Sequence, residues 1–160
     1  MSLPGVIIRR MQLDDVEQVH EIDQLSFSLP WPKTTYRFEL QENELARCWV
    51  AVLTSPEGNG AVIAMAVVWM VVDEAHIATI AVHPNYRRAG VGTQLLQHIL
   101  KSAVKERMFT VTLEVRESNS VAQAMYREFG FEVVGRRPRY YHDTNEDALI
   151  MKKVIQESAW

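Results

Sequence analysis

Hydrophobic and polar positions change period several times along the chain, and each change predicts a boundary. Val6-Ile7-Ile8 is a short apolar run that predicts an opening strand. Leu13, Val16, Val19, Ile22 and Leu25 then recur at helical spacing. Gln12 is a weak N-cap, but Asp14 and Asp15 fall in the first turn, where the helix dipole favours negative charge. Leu29-Pro30-Trp31-Pro32 interrupts the pattern and predicts an exposed loop carrying bulky apolar groups. Thr34 is placed to cap a second helix that runs through Phe38 and Leu40 to Asn43.

The centre is strand-rich. Trp49 to Leu53 and Ala61 to Val72 are valine-laden runs separated by the turn residues Ser55-Pro56-Glu57-Gly58-Asn59-Gly60, which predicts an antiparallel pair. Asp73 and Glu74 end the second run, and Ala75 to Val82 begins another. Gly92, Leu95, Leu96, Ile99, Ala103 and Val104 then mark one face of a helix. In Thr110–Arg116 the side chains alternate, with Val111, Leu113 and Val115 on one face and Thr112, Glu114 and Arg116 on the other. Asn119 is a good N-cap for a helix bearing Ala122, Met125, Tyr126 and Phe129 on one face, and Gly130 closes it. Strands over Phe131–Arg136 and Asp147–Lys153 complete the order. The pattern predicts mixed α/β, with antiparallel pairing early and a strand–helix–strand crossover late.

Composition narrows the class. A chain of 160 residues with 48% hydrophobic and 23% charged residues, and no internal repeat, predicts a single domain over 1–160 with a packed core. A net charge of −3 gives no general attraction to nucleic acid or an anionic membrane. The longest apolar run, Ala61 to Val72, is far short of the roughly 20 residues that span a bilayer, and no signal peptide is visible. Cys48 is the only cysteine, which excludes an internal disulfide and a multi-cysteine metal site; a reducing, cytoplasmic setting follows. Cys48 has no patterned histidine partner and reads as a packing residue. His20, His76, His83, His98 and His142 show no metal-ligand spacing, so no metal is expected. Arg136, Arg137 and Arg139 form a local basic cluster, usually a solvated loop, with an acidic acceptor or a phosphate as the other reading.

The segment with most chemistry is Arg87-Arg88-Ala89-Gly90-Val91-Gly92-Thr93, placed between a strand and a helix. Its glycines let backbone approach a ligand, the helix start offers unpaired N–H groups, and two arginines add positive charge. That combination is a pyrophosphate cradle; the plain alternative is a glycine turn before a surface helix. No Gly-Lys-Ser/Thr follows, and Leu95 stands where a dinucleotide fingerprint needs its third glycine.

Val82-His83-Pro84-Asn85-Tyr86-Arg87-Arg88-Ala89-Gly90-Val91-Gly92 resembles the Q/R-x-x-G-x-G/A motif of the GNAT acetyltransferases, with Arg87, Gly90 and Gly92 in its fixed places. Asn119-x-x-Ala122-x-x-x-Tyr126-x-x-x-Gly130-Phe131 is similar to the second half of that signature, at the expected separation. Asp73-Glu74-Ala75-His76-Ile77, Leu113-Glu114-Val115-Arg116, and Tyr140-Tyr141 followed by Glu146-Asp147-Ala148 resemble the ribosomal-protein alanine N-acetyltransferases, as does the Leu-Pro-Trp loop. His142 replaces a proline usual in that group, and the 54–60 loop is longer.

The resemblance implies the GNAT fold: a mostly antiparallel sheet of six or seven strands, about four helices, and two central strands that splay to admit coenzyme. It implies acetyl-CoA as co-substrate, with Ile80, Ala81 and Val82 along the pantetheine, Arg87, Arg88, Ala89, Gly90, Val91, Gly92 and Thr93 at the pyrophosphate, and Asn119 against the coenzyme. Glu114 becomes the general base and Tyr126 the general acid, with Glu74 and His76 as rival bases. The implied acceptor is a protein N-terminus, that of a ribosomal protein beginning with alanine, and Trp31, Tyr140 and Tyr141 are candidate walls of its slot. A small-molecule amine or a lysine side chain is the alternative acceptor, and a CoA-binding module without turnover the alternative from another class. Read only as a pattern, a glutamate on a strand's polar face is usually solvated and a tyrosine on an apolar helix face is usually core.

Overall fold

The computed structural model describes residues 5–54 and 60–156. The periodic segments become β1 (Val6–Arg10), α1 (Val16–Ser26), α2 (Lys33–Gln41), β2 (Ala46–Leu53), β3 (Ala61–Val71), β4 (Glu74–Val82), α3 (Val91–Lys105), β5 (Thr110–Arg116), α4 (Ser120–Glu128), β6 (Glu132–Tyr141) and β7 (Glu146–Val154). The seven strands join one sheet in the order β1-β2-β3-β4-β5-β7-β6. Contacts divide the chain into two compact units, Met1–Trp69 with Thr79–Ile99, and Met70–Ala78 with Leu100–Trp160. Residues 55–59, where the turn-rich loop is expected, lie outside the described residues.

In the first unit, β1, β2 and β3 pair antiparallel, with Ile8 opposite Ala51 and Cys48 opposite Val67. β3 reads as a continuous apolar run because both its faces are covered: every residue from Val62 to Val68 is buried. α1 buries Val16, Val19 and Ile22, while Leu13 and Leu25, at the ends of the stripe, stay about half exposed. Its entry is fixed by Asp15, whose buried carboxylate accepts from both terminal nitrogens of Arg9 (2.8 and 3.0 Å) and from the Gln12 N–H (2.7 Å). Thr34 does not cap α2. Pro32 is already extended (φ −63°, ψ 155°), its carbonyl accepts from Thr35 N, and the helix therefore begins one residue before Thr34.

In the second unit, β4 and β5 pair in parallel, and β5, β7 and β6 pair antiparallel. The β4–β5 ladder runs only from Glu74↔Thr110 to Ile77↔Leu113. Within this unit the pairing ends there, one residue before Glu114. Asn119 caps α4 by accepting from Ala122 N at 3.2 Å, and Gly130 closes it at φ +89°. Buried Gln123 donates to the carbonyls of Arg116 (3.0 Å) and Glu117 (2.8 Å), tying the helix to the end of β5. β6 runs on to Tyr141, past the expected end at Arg136. It lies at the sheet edge, where Pro138 sacrifices no ladder bond, and Arg139 takes up a left-handed φ of 51° within a register shift. Among the described residues no helix is long and apolar enough to cross a membrane.

Candidate active site

The first unit carries the glycine-containing segment. His83 N donates to Ile63 O (2.8 Å), which ties the turn after β4 to β3. Arg87 closes that turn: its Nε donates to Val82 O (3.0 Å) and its Nη2 to Ser26 Oγ on α1 (3.1 Å). These bonds make Arg87 a brace of the turn. Arg88 is exposed at φ +64° and Gly90 at φ +81°, left-handed backbone that glycine adopts without strain. α3 follows at once, and its first turn has N–H groups without intrahelical partners. The helix is held by Val91, Leu95, Leu96 and Ile99, all buried, so its start is a rigid platform. Gln94 Oε1, in the first turn, is buried and accepts no hydrogen bond among the described residues. Donors for an anion and one orphaned acceptor for an amide or hydroxyl suit the polar body of a coenzyme A. Ile80 and Val82 are half-buried and Ala81 is buried. Thr93 is exposed, and Ala89 and Gly92 are half-buried.

Trp31 is also in the first unit, but it is half-buried rather than fully exposed. Its ring stacks on Trp69 (6.5 Å, 9°) and tilts against Tyr36 (5.3 Å, 42°). Its backbone N–H donates to Asp23 at 3.1 Å, and the Tyr36 hydroxyl donates to the same carboxylate. Burial raises the Asp23 carboxyl above its ordinary value against those two bonds. Leu29, on the same loop, remains 55% exposed. Cys48 is buried, which pushes its thiol up to about 12; it is no thiolate nucleophile at neutral pH.

The second unit brings Tyr140 and Tyr141 beside Glu114 and sets Tyr141 close to Tyr126. Glu114 sits just beyond the end of the β4–β5 ladder. Its Oε1 accepts from Arg137 Nε (3.2 Å) and its Oε2 from the Tyr140 hydroxyl (3.3 Å), both on β6. His76 Nε2 lies 3.8 Å from the same Oε2. Glu74 accepts from the Thr112 hydroxyl, which also contacts His76. Glu114 is therefore an anchored carboxylate, not a solvated one, and the rival bases are linked to it.

Tyr126 is buried against Phe131, rings 5.7 Å apart and edge-on. Its hydroxyl has no hydrogen-bond partner among the described residues, and the Tyr141 phenol is close enough to act on it electrostatically. Burial holds the Tyr126 phenol above its ordinary value, so it keeps its proton throughout the neutral range. Tyr141 is pushed up to about 12 by burial, against the pull of Arg116, whose guanidinium lies 4.0 Å over its ring. Arg116 also pairs with Asp143 (2.9 Å) and Glu146 (3.4 Å), which fixes the β6–β7 turn below the two tyrosines. The basic cluster is largely spoken for: Arg136 pairs with Glu117 (2.8 Å) and Asp147 (2.9 Å), and Arg137 with Glu114. Asn119 spends its side chain on the α4 cap.

Sequence reading missed two residues. Arg137 falls in the basic cluster, read as a solvated loop or a site for an acidic acceptor or a phosphate, and the β6 register turns it toward Glu114 of the same unit. Thr112 was placed on the polar face of β5, yet it is only 7% exposed. Its spacing of two from Glu114 was the available signal, since both must share a sheet face. Among the described residues no group of three His, Cys, Asp or Glu is placed to hold a metal ion.

The seven-stranded mixed sheet with its helices fits one class of protein: the profile of the acetyltransferase (GNAT) family matches residues 16–131, and the chain is a member of that family. Among its relatives is the Escherichia coli [ribosomal protein bS18]-alanine N-acetyltransferase, 36% identical over 90% of this chain and 94% of its own. A Bacillus subtilis protein, provisionally named for the same activity, is 37% identical over 94% of this chain and 96% of its own. The crystal structure of the Escherichia coli ribosomal-protein-S18-alanine N-acetyltransferase superposes with a TM-score of 0.86 at 32% identity, covering 96% of each chain.

Proposed function

We propose that this chain transfers the acetyl group of acetyl-CoA to the α-amine of a protein N-terminus, that of a ribosomal protein beginning with alanine, in the cytoplasm. The relatives' named activity, shared over nearly their whole length, supports the acceptor class. The observation that carries the chemistry is Glu114, a carboxylate oriented by Arg137 and Tyr140 at the point where the β4–β5 ladder ends. An α-ammonium has a pKa of about 7.7–8.0, so a carboxylate beside it needs only to receive a weakly held proton. Glu114 performs that step and leaves a nucleophilic amine. Acetyl-CoA supplies the thioester carbonyl, with Ile80–Val82 along its pantetheine and Arg88–Thr93 at its pyrophosphate. As the C–S bond breaks, the Tyr126 hydroxyl donates its proton to the departing thiolate, and the amine's second N–H proton, lost as the amide forms, restores the phenol, so the net proton released is the one taken by Glu114. Tyr140 and Tyr141, beside Glu114, are walls for the first residues of the peptide.

Glu114→Gln and Tyr126→Phe test the roles. Each lowers kcat by roughly 10²–10⁴-fold on an alanine-initiated peptide, with acetyl-CoA affinity preserved. Wild-type turnover in Glu114→Gln removes that residue from the role of base.

A further inference from the structure

Four polar side chains share one face where β4 meets β5. The register sets His76 directly opposite Thr112; Glu74 precedes His76 by two residues and Glu114 follows Thr112 by two, so all four point the same way. The contacts are ordered. Thr112 Oγ1 lies 3.0 Å from Glu74 Oε2 and 2.9 Å from His76 Nδ1, and His76 Nε2 lies 3.8 Å from Glu114 Oε2. On its other side Glu114 is held by Arg137 and Tyr140.

A hydroxyl has one proton, and a carboxylate only accepts. Thr112 therefore donates to Glu74, and its oxygen must accept from His76. Nδ1 then carries a hydrogen whether the ring is neutral or charged, and the nitrogen that gains and loses a proton is Nε2, the one facing Glu114. We propose that Thr112 is a positioning residue: by holding Nδ1–H it confines proton exchange to His76 Nε2, and His76 relays the acceptor's proton from Glu114 to solvent. This rests on Glu114 as the group that first takes that proton.

The steps balance. The N–H bond of the α-ammonium breaks and an O–H bond forms on Glu114. That bond breaks in turn as an N–H bond forms at Nε2, which restores the carboxylate beside an imidazolium. The 3.8 Å separation exceeds hydrogen-bond length, so the transfer uses a small rotation of Glu114 or one bridging water. The His76 side chain is 21% exposed, enough to return the proton to solvent.

The test is nitrogen NMR of protein labelled with ¹⁵N-histidine, with His76 assigned by the loss of its signals in His76→Gln. Wild type should show a pyrrole-type Nδ1 and a pyridine-type Nε2 in the neutral ring. Thr112→Val should release the ring to the Nε2–H form that free imidazole side chains prefer, and Thr112→Ser should restore the wild-type pattern. In parallel, kcat on an alanine-initiated peptide should fall roughly tenfold in Thr112→Val, less than the loss of a whole acid–base group, and recover in Thr112→Ser, with the KM for acetyl-CoA unchanged. An Nε2–H ring in wild type, or full turnover in folded Thr112→Val, overturns the proposal. If Thr112→Val does not fold, the wild-type spectrum still decides. Glu74→Ala then serves as the second variant: it frees the hydroxyl proton for Nδ1 and should mix the tautomers, and an unmixed Nδ1–H ring there overturns the proposal. Full turnover in Glu114→Gln would instead remove the base beneath the relay, while the tautomer of His76 is read independently.

Discussion

Burial decides which protonation state each tyrosine presents to the reaction. Tyr126 loses solvent around its hydroxyl and gains no anion-stabilising partner, so its phenol is held above the ordinary value of about 10. An acid with a raised pKa stays loaded as pH climbs, and kcat should show no falling alkaline limb from this group below about pH 10. Stopped-time assays across that range check it; a limb well below pH 10 that vanishes in Tyr126→Phe would contradict the role. Strand alternation places Glu114 on the polar face of β5 and periodicity places Tyr126 on an apolar helix face; the roles proposed for both come from the family resemblance. The residue pattern could not show what holds Glu114, because Arg137 and Tyr140 reach it through the β6–β7 register, set by contacts remote in sequence. Arg87 has a role its motif position did not show: its guanidinium donates to Val82 O and Ser26 and braces the turn.

At the scale of elements, periodicity located the strands and helices, and local chemistry decided their ends. α2 starts before Thr34 because Pro32 is already extended, and β6 outruns its expected end because an edge strand tolerates Pro138. The Arg9–Asp15 pair joins β1 to the start of α1. Burial works against the Asp15 carboxylate, but the Arg9 and Gln12 hydrogen bonds and the Arg9 charge outweigh it, and its pKa is lowered. A depressed carboxylate contributes stability above its unfolded value of about 3.9, and the contribution is lost as pH falls through the folded value. Asp15→Asn should cost roughly 1.5–3 kcal/mol at neutral pH, a charged hydrogen bond's share. Denaturant titrations should show that difference shrinking below pH about 3.9; a cost that persists undiminished in acid would assign it to packing. Gly90 at φ +81° opens α3. Valine there brings backbone strain of roughly 1–3 kcal/mol and a side chain beside the cradle. Gly90→Val should melt lower and lose acetyl-CoA binding in calorimetry, and unchanged affinity in a folded variant would move the cradle elsewhere.

For the whole molecule, the family was legible from two motifs in the right order, and its sheet followed. The acceptor class was legible from the stretches that resemble the ribosomal-protein alanine N-acetyltransferases; which side chains select it was not, since that depends on how residues far apart in sequence are placed. Tyr140 is 44% exposed and bonded to Glu114, which suits a wall that peptide can touch. Tyr140→Ala should raise the peptide KM far more than the acetyl-CoA KM in steady-state assays; equal effects would detach it from the acceptor. The most direct measurement offers the enzyme acetyl-CoA and a peptide that begins with alanine and carries a free internal lysine, then locates the acetyl group by tandem mass spectrometry. The account predicts acetyl on the α-nitrogen, with thiol release in equal amount and no reaction once that nitrogen is blocked. Acetyl on the lysine, or undiminished thiol release with the blocked peptide, would contradict it.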